Sequence, residues 1–484
     1  MNKINTSVRY SKVPSEYLLA PLLMLLILSV SVFYIIGNNY NNILIIIPII
    51  ITFIFLVPRL SLIIVGKRPP FDVWSIFTYT ALLVFIYSPL YHLITGRPIA
   101  KNLPYDMTEL ISYIAWTCVP IIPLFYLGSL LVKKKSHYIK HSYEKEPINK
   151  FINIGIFYIL TGMCANIAIM IAGGVPLVAG TLFVLKDFFS VGLLLVYYGV
   201  IKKRIKKGIK DKKKHQVLCF ISLIIIIFLI SYFNLERGSR FFILIYAFWG
   251  LHIYSTHVAK INMSKILIII VLLIPLLTQY KLYKYTGYDS QYVLDSNYRS
   301  QIQEQYSQLT PTYTLATDLG RYYIWMLYYQ EVQPGGNIDY QYGKTYLDAI
   351  LTMFPKWIVK NKPPGMIELS HDAESGRGYY KAYHPSTAKI GGFWAESYVN
   401  FGIMGVWLMA IVGGYILGVL DKIIKARSLG YITPVLAGLI ATFGSEILLQ
   451  DSRLILWHLS KYVVTVIPLI VLLKLKTRRK GEAI

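Results

Sequence analysis

Arg237 and Arg240 flank a Gly-Ser pair just ahead of an apolar run that starts at residue 241. A lone arginine at such a boundary snorkels to the interface. Two of them, with Gly238 and Ser239 between, can cup an anion, helped by the free N–H groups of the helix that starts there. Farther along, His384 stands twelve residues before Glu396. A histidine can take a proton near neutral pH. Glu396 falls a few residues into an apolar run, where an acid needs a wet cavity or a partner such as an arginine. Arg321, Lys356, Arg377 and Lys381 lie in the polar stretch between, and Asp451-Ser452-Arg453 precedes the last apolar run. Taken singly these cations are solvated residues, and Arg453 can simply pair with Asp451. Sharing a face with Arg237 and Arg240, they would form an anion site.

Other charged groups carry less. Lys186-Asp187 sits in an apolar stretch, where one charge costs ~2.5–3.5 kcal/mol on insertion scales. The pair either neutralises itself or lies in an outer cavity. Glu109 suits a helix N-terminus. His371-Asp372-Ala373-Glu374 is one short acidic cluster and a weak metal signal. There is no Walker loop, zinc spacing, nucleophile elbow or dinucleotide fingerprint, so no cofactor is indicated. Cys118, Cys164 and Cys219 all fall in apolar runs and read as small core residues.

The elements that must position these groups are membrane helices. The chain is 55% hydrophobic and 15% charged, against about 25% charged in soluble domains. Apolar runs long enough to cross a bilayer core recur throughout, which makes this an all-α polytopic membrane protein. The net charge of +25 comes from runs such as Lys133-Lys134-Lys135 and 202–214 in short links. Residues 281–390 hold 11 Lys+Arg against 10 Asp+Glu. That asymmetry is the positive-inside bias and contact with anionic lipids, and it argues against nucleic acid.

Oriented by this bias, the chain gives about twelve spans with both termini cytoplasmic. Residues 1–280 hold spans one to nine, 281–390 form a large extracytoplasmic loop, and 391–484 hold spans ten to twelve. Spans are expected near 17–37, 43–65, 73–95, 107–132, 151–172, up to 201, 216–233, 241–256, 265–280, 391–420, 431–449 and 454–473. His458 and Lys461 in the last should face the bundle interior. Within the loop, Tyr346, Leu347, Ile350, Leu351 and Phe354 form an apolar stripe of helical period, and 322–332 is dense in aromatics. Both stretches could lie flat in the outer interface or pack on the ends of the spans.

Three motifs carry a family resemblance: Arg237-Gly238-Ser239-Arg240, Met353-Phe354-Pro355-Lys356-Trp357, and Thr387 to Gly402 entering a helix. With Asp451-Ser452-Arg453, they resemble the Wzy-type polymerases of O-antigen and other oligosaccharide repeat units. The layout is also similar to that of the enterobacterial common antigen polymerases. Gly392 stands where relatives often carry an acid, a role Glu396 could fill. The resemblance implies a GT-C-like fold, similar to the O-antigen ligases, in the bacterial inner membrane. It implies glycosyl transfer between undecaprenyl-pyrophosphate-linked oligosaccharides, without metal or nucleotide sugar. A Wzz-like chain-length regulator and a Wzx-like flippase are the implied partners, beside membrane lipids. On that reading, Arg237, Arg240, Arg321 and Arg453 would stabilise a departing diphosphate. His384 or Glu396 would take or steer the acceptor's proton. Tyr379, Tyr380, Tyr383 and Trp394 could stack on sugars or serve as interface belt residues. A ligase-like transferase and a flippase remain alternatives, though no internal repeat supports a carrier.

Overall fold

The computed structural model describes residues 43–96, 103, 107–132, 147–171, 176–209, 213–233, 240–261, 275, 277–287, 289, 291–332, 336–354, 358–383, 390–426 and 432–478. Among these the chain is helical, and eight helices are long and apolar enough to cross a membrane. The expected span at 17–37 lies outside the described residues, as does most of the one at 265–280.

The first part contains α1 (Ile43–Ile64), α2 (Val73–Thr95), α3 (Thr108–Leu130), α4 (Ile148–Ile171), α5 (Pro176–Lys206), α6 (Lys213–Phe233) and α7 (Arg240–His257). Asp72 caps α2 by accepting from Ser75 N at 2.7 Å, and it also takes both oxygens to Arg59 of α1 at 2.9 Å. The polar stretch folds into α8 (Ser296–Gln305), α9 (Tyr322–Glu331), α10 (Lys344–Leu351) and α11 (Met366–Ser375), with shorter turns between. The chain then returns through α12 (Gly392–Lys425), α13 (Thr433–Leu449) and α14 (Ser452–Arg478).

Close packing holds the bundle together. A Cβ on Gly128 of α3 would run into the Ile411 carbonyl of α12, and one on Gly414 would meet the Phe125 carbonyl in return. Such backbone-to-backbone approach is how helices associate in lipid, where burial from water no longer drives them together. Trp249 of α7 donates to the Val435 carbonyl of α13 at 2.6 Å, and Tyr158 of α4 to the Thr465 carbonyl of α14 at 2.7 Å.

Two expected continuous spans are broken. Within α3, helical bonding is interrupted between Cys118 and Ile121, around Pro120 and ahead of Pro123. A proline removes a helix donor; beside this break the Thr117 carbonyl accepts the indole N–H of Trp407 at 3.0 Å. Within α12, Phe401 and Gly402 leave helical geometry, Gly402 at φ 63°. The carbonyls of Val399 and Asn400 instead accept the amides of Gln341 and Tyr342, at 3.0 and 3.2 Å. The polar stretch is thereby stitched to the break.

The two loop helices singled out by pattern behave differently. α9 does not lie at an interface: Tyr322, Ile324, Trp325, Met326, Leu327 and Tyr328 are all buried. α10 buries Thr345, Asp348 and Ala349 and exposes Leu347 and Ile350. Its polar side faces the protein.

Candidate active site

The turn between α13 and α14 places Gln450-Asp451-Ser452 where the polar stretch packs on α12. Glu396 lies one turn into α12 and is 1% exposed. Its carboxylate accepts Thr345 Oγ1 at 2.8 Å, and both the backbone N and the Oγ of Ser452 at 2.6 Å. One side chain thus joins α10, α12 and the start of α14. The Ser452 amide belongs to the first turn of α14, so a negative charge here also meets the positive end of that helix. Asn400, one turn on, donates to Thr345 Oγ1 at 2.6 Å and accepts from Gly343 N at 2.7 Å. Tyr346 donates to Ser397 Oγ at 3.0 Å. Among the described residues Glu396 therefore has neither the wet cavity nor the arginine partner its place in the sequence called for. Its partners are two hydroxyls and an amide, and its geometry is that of a positioning residue.

Arginines gather beside this joint. Asp451 is fully buried; its Oδ1 caps α14 by accepting from Leu454 N at 2.8 Å, and its Oδ2 has no hydrogen-bond partner. Burial pushes its carboxyl above the usual range, opposed by the nearby Arg453 and Arg321 guanidinium groups. Arg453 bonds not Asp451 but Asp348 of α10, at 3.4 Å. The Arg453 side chain is 38% exposed, while Asp348 is nearly closed off at 4%. Burial raises the Asp348 carboxyl as well, with Arg453 pulling the other way. Gly365 closes the pair from outside: a Cβ there would run into the Asp348 carboxylate and come 3.1 Å from Arg453.

Arg321 reaches the cluster from a strained position. It follows the π-helical turn Leu315–Gly320 and takes left-handed backbone at φ 54°. A non-glycine residue there persists only when its surroundings hold it. Its Nε donates to the Asp318 carbonyl at 3.0 Å and its guanidinium to the Leu449 carbonyl, which fixes it across the end of α13.

The other candidates do not join this cluster. Arg377 pairs with Asp339 at 3.0 Å and Lys381 with Glu368 at 3.4 Å, both near the surface of the loop. Tyr383 is exposed and packs on Tyr379, ring centroids 4.7 Å apart. Trp394 is buried between Phe85 and Phe125 and offers no face to a ligand. Asp372 accepts from Tyr380 N at 2.9 Å. Among the described residues no group of three or more His, Cys, Asp or Glu gathers as a metal site. Arg237, Lys356 and His384 lie outside the described residues, as does the side chain of Arg240.

Thr345, Asp348, Asn400 and Ser452 complete the joint, and the sequence reading gave none of them a role. Ser452 and Asn400 stood inside the motifs already singled out. Thr345 and Asp348, three apart, occupy the face of α10 opposite its apolar stripe, so the same period that marked the stripe also marked them.

Gly392 has a structural reason of its own. It lies at φ 81°, and a Cβ there would run into the Leu448 carbonyl of α13. An acid at that position is incompatible with this packing.

A second polar group lies deeper among α5, α7, α13 and α14. His458 Nδ1 is 3.3 Å from Glu446, and Tyr462 donates to the same carboxylate at 3.1 Å. Lys461 lies 3.9 Å from Asp187, which also accepts from Tyr246 at 3.2 Å. Lys186 and Asp187 are thus buried in the bundle at 2% and 3% exposure, not placed in an outer cavity. His458 and Lys461 face the interior, as their charge required.

Comparison with family models, curated proteins and solved structures returns no match.

Proposed function

We propose that this protein is a membrane glycosyltransferase that joins undecaprenyl-pyrophosphate-linked oligosaccharide units into a surface polysaccharide at the outer face of the cytoplasmic membrane. The observation that carries the reading is that two arginines reach the same α13–α14 turn, Arg321 bonded to the Leu449 carbonyl and Arg453 paired with Asp348 and partly open to solvent. Guanidinium groups held at one turn suit an anion that gains charge during reaction.

In the reaction, an acceptor hydroxyl oxygen attacks the anomeric carbon of the growing chain. The bond from that carbon to the diphosphate oxygen breaks, and the lipid diphosphate leaves with the electron pair. The hydroxyl proton passes to a base, the role assigned to His384. Attack opposite the leaving group inverts the anomeric centre. Arg453 and Arg321, with Arg237 and Arg240, take up the charge on the diphosphate, and Glu396 holds the start of α14 that presents Arg453.

Purified protein in lipid vesicles, given undecaprenyl-pyrophosphate-linked repeat units, should yield a ladder of longer chains and release undecaprenyl pyrophosphate. Unchanged substrate would end the proposal. A second reading, carriage of the same lipid across the membrane, draws on the buried charges of α5 and α14. Lys461 lies nine residues below Ser452, or ~13 Å along the helix. A deletion strain separates the two readings: single repeat units on the surface lipid mean a lost polymerase, and no glycan at all means a lost carrier.

A further inference from the structure

We propose that residues 344–354, with Ile358, form a membrane-seated element whose partner is the lipid surface, and that this contact holds the Asp348–Arg453 pair in place. Three observations meet here. First, α10 is amphipathic with its polar face turned inward: Thr345 and Asp348 are buried on Glu396 and Arg453. Leu347, Ile350, Met353, Phe354 and Ile358 stand 47–55% exposed. A helix that turns its polar side to the protein and its apolar side outward needs an apolar medium there. Second, the exposed stripe continues into a membrane helix. The Tyr346 and Phe401 rings lie 6.4 Å apart, and Phe401 begins the half of α12 that exposes Met404 and Leu408. Lipid that wets the second half of α12 therefore reaches α10 without interruption. Third, exposed Lys344 and Lys360 bound the stripe on either side. Cations at that level suit anionic headgroups.

The seat is coupled to the site by hydrogen bonds. The amides of Gln341, Tyr342 and Gly343, which lead into α10, donate to Val399 O, Asn400 O and Asn400 Oδ1 at the break in α12. Lifting α10 from lipid would strain these bonds together with those of Thr345 and Asp348. The proposal is independent of the reaction assigned above, because it concerns where the segment lies.

The test uses the full chain in lipid nanodiscs containing anionic lipid, with exposed Cys164 replaced by serine. Nitroxide labels are attached at Leu347→Cys, Ile350→Cys, Lys344→Cys and Lys360→Cys in separate samples. Collisions with oxygen should exceed those with a water-soluble nickel chelate severalfold at 347 and 350, and the order should reverse at 344 and 360. A water-like response at 347 and 350 overturns the proposal. So does screening from both reagents, which would mean a second copy or another segment covers the stripe. The coupling has its own readout in hydrogen exchange. The amides of 341–343 should exchange severalfold faster in the Leu347→Glu/Ile350→Glu variant than in the parent protein, and unchanged rates would sever the lipid contact from the site.

Discussion

Replacing Arg453 by methionine separates a structural from a catalytic role for this side chain. On the structural side the loss is small. The Arg453–Asp348 contact is 3.4 Å long and more than a third open to solvent on the arginine side. Such pairs contribute about 0.2–1 kcal/mol. Asp348 would be left buried without its cation, but burial already pushes its carboxyl toward the neutral form, which relieves the isolated charge. On the proposed reaction the catalytic loss is larger. Removing one preset donor from a developing anion costs ~2.7–4 kcal/mol, or about 10²–10³ in rate. The decisive comparison is the Arg453→Met/Asp348→Asn double variant, in which neither side chain needs the other. Its thermal midpoint should return toward that of the parent, while turnover of lipid-linked repeat units in vesicles stays depressed by the full factor. Both are measured on the same sample. Recovery of turnover in the double variant would show that Arg453 serves only to satisfy Asp348. A single-variant slowing below about tenfold, ~1.4 kcal/mol, would remove it from charge stabilisation altogether.

Glu396→Ala strands three donors, the Thr345 hydroxyl and the Ser452 amide and hydroxyl, at roughly 1–3 kcal/mol each, and the folded yield in detergent should collapse. Glu396→Gln should fold, because the two hydroxyls can turn to accept from the new amide nitrogen; full stability of the alanine variant would refute the joint. Gly392→Ala should lose at least the ~1–2 kcal/mol of a left-handed L-residue, more with the contact to Leu448, read as a lowered thermal midpoint. Asp451 and Asp348 both have raised folded-state carboxyls, so the folded protein binds more protons than the unfolded chain between the ordinary aspartate range and the raised values. Stability is then greatest below that window and falls as pH rises through it. Asp451→Asn keeps a cap for α14 and should flatten the slope of midpoint against pH; a parent protein whose stability rises across the window would contradict the burial of both groups.

Much of the scaffold was legible because hydropathy reports length and polarity, which is what a bilayer selects. The runs at 43–65, 73–95 and 216–233 appear as helices with nearly those bounds. Hydropathy could not register the breaks in α3 and α12, since carbonyls at a break accept from groups far off in sequence, such as Trp407 for Thr117 and Gln341 for Val399. The joint around Glu396 was legible by residue type but not by partner. Glu396 was conspicuous as an acid in an apolar run. Nothing local says that a serine 56 residues later and a threonine 51 residues earlier would engage it. Arg377 and Lys381 matched Arg453 in type, and only the fold separates the surface pairs from the one beside a buried aspartate.

The start of α14 divides two tasks between adjacent residues. Ser452 turns inward to the Glu396 carboxylate and Arg453 outward to Asp348 and solvent, about 100° apart around a helix of 3.6 residues per turn. On the proposed reaction this arrangement is sufficient. The diphosphate would leave as an anion and need stabilised charge, not a proton. The paired acid and base that glycosidases require for a poor alkoxide leaving group reduce to a single base. A carboxylate in this neighbourhood is therefore free to be saturated with hydrogen bonds and to hold an arginine's helix in register. The closed environment of Glu396 is then compatible with a transferase, and would have been incompatible with a hydrolase that used the same residue as its acid.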